Sequence, residues 1–456
     1  MHLEPDPQTA RAMGEELAAR IADYLTALPK APASRFGESG PSVARMLQPP
    51  PERAGDFGAL LDAFEEAASH GLDTSGPGYL CYFPAGGLVS AVLADAYAQL
   101  HNRYASVAHY APALVAMEDG VLRWFATGLF GMPAGASGLV TTGGSLATLS
   151  ALVTARYDRL GEDLTGARLY VTEHTHFCVA KAARIAGLPA SAVRVVPTRE
   201  LRMDVEAAAA MIAADRAAGL RPFLLVGTGG TTSTGTVDPL VELGELAVRE
   251  DVWFHVDAAY GGGLCLTDRG RARLAGIAGA DSIAFDPHKS LFLQYGTGVL
   301  LVREPRKLRE AHADTGDYLQ DLVEEDGLPD YGHLGPELTR EFRGLRLWLP
   351  LHLHGVAAFR AALEEKLDLA RLVHEELAGD PRFEVPWEPD LTVVAFRLRG
   401  DDAANRRLLE RVNAGRRVFL SSTMVEGRFF LRMNPTSHRT HEQDVRAALT
   451  AIREGV

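Results

Sequence analysis

The run Ser-Ile-Ala-Phe-Asp-Pro-His-Lys-Ser at residues 282–290 sets an apolar, β-prone stretch ahead of Asp286, His288 and Lys289. A lysine at the mouth of a buried strand is placed to act as a Schiff-base nucleophile. Partial desolvation and nearby cations would lower its pKa and free the amine near neutrality. A plain surface lysine just past a strand fits the same pattern. Upstream, His255-Val-Asp-Ala-Ala-Tyr260 ends an apolar strand on Asp257. A carboxylate there can hold a proton on a heterocyclic nitrogen, or simply cap a turn. As half of a metal site it lacks a third ligand at a familiar spacing, so no metal is expected. Thr141-Thr-Gly-Gly-Ser145 opens a helix, and its free N–H groups with the Ser145 hydroxyl suit a phosphate, or serve as an ordinary N-cap. His174 and His176 follow another strand and could bind metal, stack on a planar ring, or be solvated loop residues. Gly229 to Gly235 is a loop rich in hydroxyls, taken alone a turn.

The elements that must position these residues are strands. Seven apolar runs are predicted to be strands: Gly138–Thr142, Leu169–Thr172, Val193–Pro197, Phe223–Gly227, Trp253–Asp257, Ser282–Asp286 and Gly298–Val302. Between them lie alanine-rich helical stretches such as Ser145–Tyr157 and Val205–Ala217. Such alternation, with strands this apolar, gives an α/β fold whose sheet is largely parallel and covered on both faces. The glycine turn, the histidines, the hydroxyl loop, Asp257 and Lys289 then fall in order at the carboxyl ends of strands, the edge where open α/β sheets bind ligands. Lys289 follows Asp257 by 32 residues, room for one helical unit. Together they are what pyridoxal phosphate needs: a lysine for the imine, an acid for the pyridine nitrogen, donors for the phosphate and a plane against the ring.

The remaining chain sets bounds. It has 456 residues, 47% hydrophobic and 23% charged, as in soluble globular proteins of two or three domains. The net charge of −13 gives nucleic acid or anionic lipid nothing to attract, so neither is expected as a partner. Cys81, Cys178 and Cys265 stand far apart, and no signal peptide or membrane-length apolar run is visible. A cytoplasmic protein follows. Met13, Leu17, Ile21, Tyr24 and Leu28 recur at helical spacing and form one apolar face, followed by a proline-rich stretch from Pro29 to Pro51. This arm is too small for its own core and is expected to pack on the body or on a partner chain. Asp314–Pro336 is acidic, with Gly and Pro and weak periodicity, and is read as a mobile loop. Short strands at Val393–Arg397 and Phe429–Met433 and a helix from Glu442 suggest a smaller C-terminal α/β domain. The expected division is an arm at 1–65, a large domain at 66–340 and a small one at 341–456.

With these motifs the chain resembles the pyridoxal-phosphate-dependent group II decarboxylases, which include aromatic-L-amino-acid, histidine and glutamate decarboxylases. The likeness runs from Ile-Ala-Asp-Tyr-Leu (21–25) to Leu-Arg-Met-Asn-Pro (431–435) and is most specific at His-Val-Asp-Ala-Ala-Tyr (255–260) and Asp-Pro-His-Lys (286–289). It implies fold type I, an aspartate-aminotransferase-like architecture. It also implies a homodimer with active sites at the interface. By resemblance Lys289 carries the cofactor as an imine, Asp257 pairs with the pyridinium and Ala259 lies against the ring. His176 is the stacking histidine. Gly144, Ser145, Asp286 and His288 match phosphate contacts, and Thr231 a threonine near the cofactor. Tyr82, Phe83 and Pro84 match the substrate pocket, and Tyr318 the catalytic-loop tyrosine.

The departures touch substrate choice. Ser290 replaces an aromatic residue, Leu146 stands where many members carry Glu, and Thr74–Gly78 lacks a tryptophan. Ser106 falls where a pocket phenylalanine is expected, and Gln294–Gly298 is an unusual segment. The expected reaction is decarboxylation of an L-amino acid to its amine, with Tyr318 returning the proton and His176 assisting. Tyr82 and Phe83, with Tyr104 across the interface, favour an aromatic side chain. Arg103 is the one cation in 74–110 that could serve an acidic substrate. The rivals are an aldehyde-forming synthase, a carbon–carbon lyase, or a non-catalytic binding protein on the same fold.

Overall fold

A computed structural model describes the chain except for residues 1, 2, 38, 85 and 315–326. The seven apolar runs are strands of one sheet: β1 (Ser137–Thr141), β2 (Ala167–Thr172), β3 (Val193–Val196), β4 (Arg221–Thr228), β5 (Trp253–Asp257), β6 (Ser282–Phe285) and β7 (Gly298–Val302). Their order is β1-β7-β6-β5-β4-β2-β3. Every neighbouring pair is parallel except those of β7, which runs antiparallel between β1 and β6. The carboxyl ends of β1, β2, β4, β5 and β6 therefore share one edge. The reason for burial on both faces is composition: β5, β6 and β7 are buried at every position, and Trp253, Phe254, Phe285 and Leu300 sit in the main core.

Nine helices matter for the argument: α1 (Pro7–Ala27), α2 (Val89–His101), α3 (Pro112–Trp124), α4 (Gly144–Leu160), α5 (Cys178–Ile185), α6 (Pro287–Ser290), α7 (Gly344–His354), α8 (Val356–Ala378) and α9 (Glu442–Glu454). Helix α4 lies across β4, β5, β6 and β7, and α7 packs on α2 and α3. A second sheet, in the order β8 (Phe383–Glu384), β9 (Val394–Leu398), β11 (Arg428–Met433), β10 (Ser421–Val425), is antiparallel throughout. Its core takes Val394, Phe396 and Leu431 with α9. Helix α8 serves both cores: Phe359 and Leu363 join the first, Leu369 and Val373 the second. Among the described residues no helix is long and apolar enough to cross a membrane.

Helix α1 forms as its spacing predicts, started by Asp6, whose carboxylate accepts from the Gln8 and Thr9 N–H groups. None of its residues is buried within the chain. Of the segment read as a mobile loop, residues 315–326 lie outside the described residues, and the part from 327 onward is not loose. Tyr331 is buried, and the Arg340 guanidinium lies 4.2 Å over its ring and pairs with buried Glu118 at 2.8 Å. The Ala108 N–H donates to Asp330 at 2.7 Å. A single aromatic ring locked by a buried ion pair has no periodicity, which is why the pattern missed it.

Candidate active site

Each residue picked out on chemical grounds sits at the shared strand edge or just beyond it. Strand β6 ends at Phe285, and Asp286 leads into the short helix α6 that carries His288 and Lys289. Lys289 Nζ lies 2.9 Å from Asp286 Oδ2. His288 Nδ1 meets the Thr297 carbonyl at 2.8 Å and its Nε2 is 3.6 Å from Asp286. Asp257 closes β5, and the Ala259 N–H donates to its Oδ1 at 3.1 Å. His176 precedes α5, and the Cys178 N–H donates to its Nδ1 at 3.3 Å, so the ring's own hydrogen is on Nε2.

The electrostatics correct one expectation. Lys289 was read as a lysine whose pKa is lowered by desolvation and cations. Burial does push it down, but Asp286 and Asp257 outweigh that and hold it above its ordinary value. The neighbours are carboxylates, not cations, so the lysine of the cofactor-free chain is an ammonium. His176 is lowered, first by burial, against the opposing pull of Asp257. Burial also lowers His288 and drives the Cys178 thiol up to about 12.

Asp286 requires a second correction. It was matched to phosphate contacts, yet an ionised carboxylate only accepts hydrogen bonds and repels a phosphate. Its Oδ2 is on Lys289, and its buried Oδ1 has no partner. It is placed to hold the lysine rather than to donate to an anion. Donors for a phosphate are supplied instead by the glycine turn. The α4 N-terminus has no side-chain cap, and the Leu146 and Ala147 N–H groups return to Gly143, which leaves those of Gly144 and Ser145 outward. A Cβ on Gly144 would meet Asp286 Oδ2 at 3.0 Å and the Ala259 Cβ at 3.1 Å, so glycine keeps the turn clear of Asp286 and Ala259.

The other expected residues divide. Thr231 is buried beside the Asp257–Tyr260 turn, its hydroxyl 3.0 Å from that of Thr234, which is 2.8 Å from that of Thr236. Phe83 is only 4% exposed and its ring stacks on Tyr260 at 3.8 Å, so its ring is covered within the chain and presents no open face. Tyr82, at 50%, is open, and Pro84 accepts from the Tyr295 hydroxyl at 3.4 Å. Tyr104 meets Tyr110 at 6.1 Å. Tyr318 lies outside the described residues. Ser290 and Ser106 are both buried, and the Ser290 hydroxyl accepts from the Gly263 N–H, so these departures alter packing rather than an open pocket wall. Tyr295, half exposed and 6.0 Å from His288, was missed, although an aromatic residue six positions past the lysine was a signal. Cys178, 3.8 Å from the Thr148 hydroxyl, was missed as well and had no signal.

A lysine, an acid at a strand end, an uncapped glycine turn and a histidine whose ring carries hydrogen on Nε2 are the donor set that pyridoxal phosphate requires, and they fit it. The comparisons agree. Residues 44–399 match the family model described as the pyridoxal-dependent decarboxylase conserved domain. The chain is 30% identical to an aromatic-L-amino-acid decarboxylase of Bacillus atrophaeus, over 99% of this chain and 96% of that one. It superposes on Oryza sativa TDC, solved with PLP and tryptamine, with a TM-score of 0.94 at 27% identity, covering 100% of this chain and 99% of the other. It also superposes on the Rhodiola rosea 4-hydroxyphenylacetaldehyde synthase, with a TM-score of 0.91 at 26% identity, covering 99% and 98%. The chain belongs to the pyridoxal-dependent decarboxylase family. It is a fold-type-I enzyme that uses pyridoxal phosphate to decarboxylate an amino acid.

Proposed function

We propose that this enzyme converts an aromatic L-amino acid to its amine and carbon dioxide, as a cytoplasmic homodimer. The observation that carries the site reading is the convergence of Lys289, Asp257 and the Gly143–Gly144 turn on one sheet edge. Pyridoxal phosphate, when bound, supplies the electron sink for the pair left behind as the carboxylate departs. Lys289 would anchor it through its side-chain amine. Asp257 holds a proton at the pyridine nitrogen, and stabilisation of charge where it develops is usually the largest catalytic term. The Gly144 and Ser145 N–H groups would hold the phosphate, and His176 and Ala259 would hold the ring. The proton that replaces the carboxylate on the α-carbon comes from Tyr318, assigned on resemblance alone. Asp286 receives the Lys289 ammonium whenever the lysine is released.

The aromatic preference is supported by the open faces of Tyr82 and Tyr295 and by the Bacillus decarboxylase and the tryptamine-bound rice structure among the similar proteins. Three buried, unpaired cysteines suit a reducing compartment. A panel of phenylalanine, tyrosine, tryptophan, leucine, histidine and glutamate assayed for carbon dioxide release tests the preference. Glutamate or leucine leading in kcat/KM by more than about tenfold, roughly 1.4 kcal/mol of barrier, overturns it.

Likeness to an aldehyde synthase supports a second reading, in which the same site turns the amino acid, oxygen and water into aldehyde, carbon dioxide, ammonia and hydrogen peroxide, oxygen being the two-electron oxidant. Without a positioned proton donor, oxygen can compete with the proton for the electron pair that the carboxylate leaves behind. Tyr318→Phe is therefore expected to lower amine yield and raise aldehyde and ammonia. Unchanged product ratios remove Tyr318 from the mechanism, and aldehyde as the main product of the unaltered enzyme selects the second reading.

A further inference from the structure

Trp253, His255 and Asp257 alternate along β5, so their side chains leave the same face of the sheet, and Ser282 on β6 stands in register with His255. The Trp253 indole N–H donates to Ser282 Oγ at 2.8 Å, and the same Oγ lies 2.8 Å from His255 Nδ1. A hydroxyl has one proton to give, and an indole can only donate. Among the described residues the acceptor left for the Ser282 proton is His255 Nδ1. That fixes the tautomer: Nδ1 bare, Nε2 carrying hydrogen. His255 is 1% exposed, and among the described residues its Nε2 has no partner. Burial also drives its pKa down to about 4, so the ring is neutral at working pH. Two residues on, Asp257 accepts one hydrogen bond, at Oδ1 from Ala259, although a carboxylate offers about four lone-pair sites.

We infer that His255 is a positioning residue for Asp257, its Nε2–H being the donor that the carboxylate engages when it turns to the cofactor's ring nitrogen, at the end of a Trp253–Ser282–His255 chain. A buried donor aimed by two further residues has a use only if an acceptor comes to it, and Asp257 is the carboxylate two places along the same face. The role rests on the proposal that Asp257 meets the pyridine nitrogen.

The first test is nitrogen NMR on histidine-labelled apoenzyme. His255 should show a bare Nδ1 and a protonated Nε2, and the opposite tautomer overturns the inference. The second is the affinity of the apoenzyme variants for pyridoxal phosphate by equilibrium dialysis. His255→Leu should bind roughly ten- to a hundredfold more weakly, the loss of a hydrogen bond to a charged group, and His255→Gln, which keeps an N–H donor, should recover most of it. Equal affinity of the Leu variant and the wild type overturns the inference. Should His255→Leu fail to fold, Ser282→Ala replaces it. Release of Nδ1 should then give mixed tautomers and weaker binding, and no change in either overturns the inference. Asp257→Ala is measured alongside. If it leaves affinity unaltered, both this inference and the reading of Asp257 fall, whereas a weakened Asp257→Ala beside an unaltered His255→Leu removes only the role of His255.

Discussion

Asp286 and Lys289 form the contact on which the chemistry of the cofactor-free site turns. The carboxylate at 2.9 Å keeps the lysine charged, and only the free amine can attack an aldehyde. Asp286→Asn removes one of the two carboxylates that raise the lysine pKa, the one in contact with it, so the amine should appear at lower pH. The midpoint of cofactor addition to the apoenzyme, followed by absorbance against pH, is expected to fall by about one pH unit or more. A midpoint that stays put or rises shows that Asp286 does not govern the lysine. Lys289→Ala should abolish the borohydride-reducible link to pyridoxal phosphate, and a reduced adduct found on another lysine would reassign the anchor. Lys289 and Asp257 were legible because their type and strand-end position name their chemistry. The charge state of Lys289 was not, since spacing along a chain does not say which sign of charge will face a side chain across the fold. Phe83 was misread for the same reason: an aromatic residue in a matching motif still needs the fold to show that Tyr260 covers it.

At the scale of elements, β7 closes the site from behind. A Cβ on Gly298 would meet the Gly143 Cα at 2.4 Å and its backbone carbon and nitrogen at 2.6 and 2.7 Å, so strand and phosphate turn touch main chain to main chain. Gly298→Ala must push the turn away. The cost expected of overpacking is about 1–3 kcal/mol, with weaker pyridoxal phosphate binding on top. Thermal melts of the apoenzyme and cofactor dialysis check both parts; a variant that melts and binds like the wild type would show that the turn can move freely. All seven strands of the sheet were legible, each within a few residues, because short apolar β-branched runs admit little else. Val205–Ala217 was legible to the residue. The order of the strands was not legible, nor was the antiparallel β7, since nothing in an apolar run records its direction. Helix α2 was not legible because its exposed side is also apolar, with Leu93, Tyr97 and Leu100 open, which blurs the helical period.

The whole molecule leaves apolar surface uncovered. Leu93, Tyr97 and Leu100 of α2, Tyr82, Tyr110 and Tyr295 near the site, and Leu17 and Tyr24 of α1 are all exposed in the single chain. Surface of this kind suits an interface, and the proposed homodimer would bury it. Light scattering should give twice the 49.1 kDa of one chain. Leu93→Glu with Leu100→Glu should shift the mass toward one chain and take turnover with it; a fully active monomer would refute both the dimer and the shared site. The sheet order also has a consequence for how the enzyme is made. Strand β1 pairs with β7 and with no other strand, and β7 leaves the ribosome roughly 160 residues after it. At roughly 5–20 residues per second, β1 and the glycine turn behind it wait about ten seconds or more for the strand that fixes them. A nascent chain halted before Gly298 would have Lys289, Asp257 and His176, and still lack the strand against which the Gly143–Gly144 turn rests. Capture of the cofactor during synthesis therefore belongs to the interval after β7 emerges.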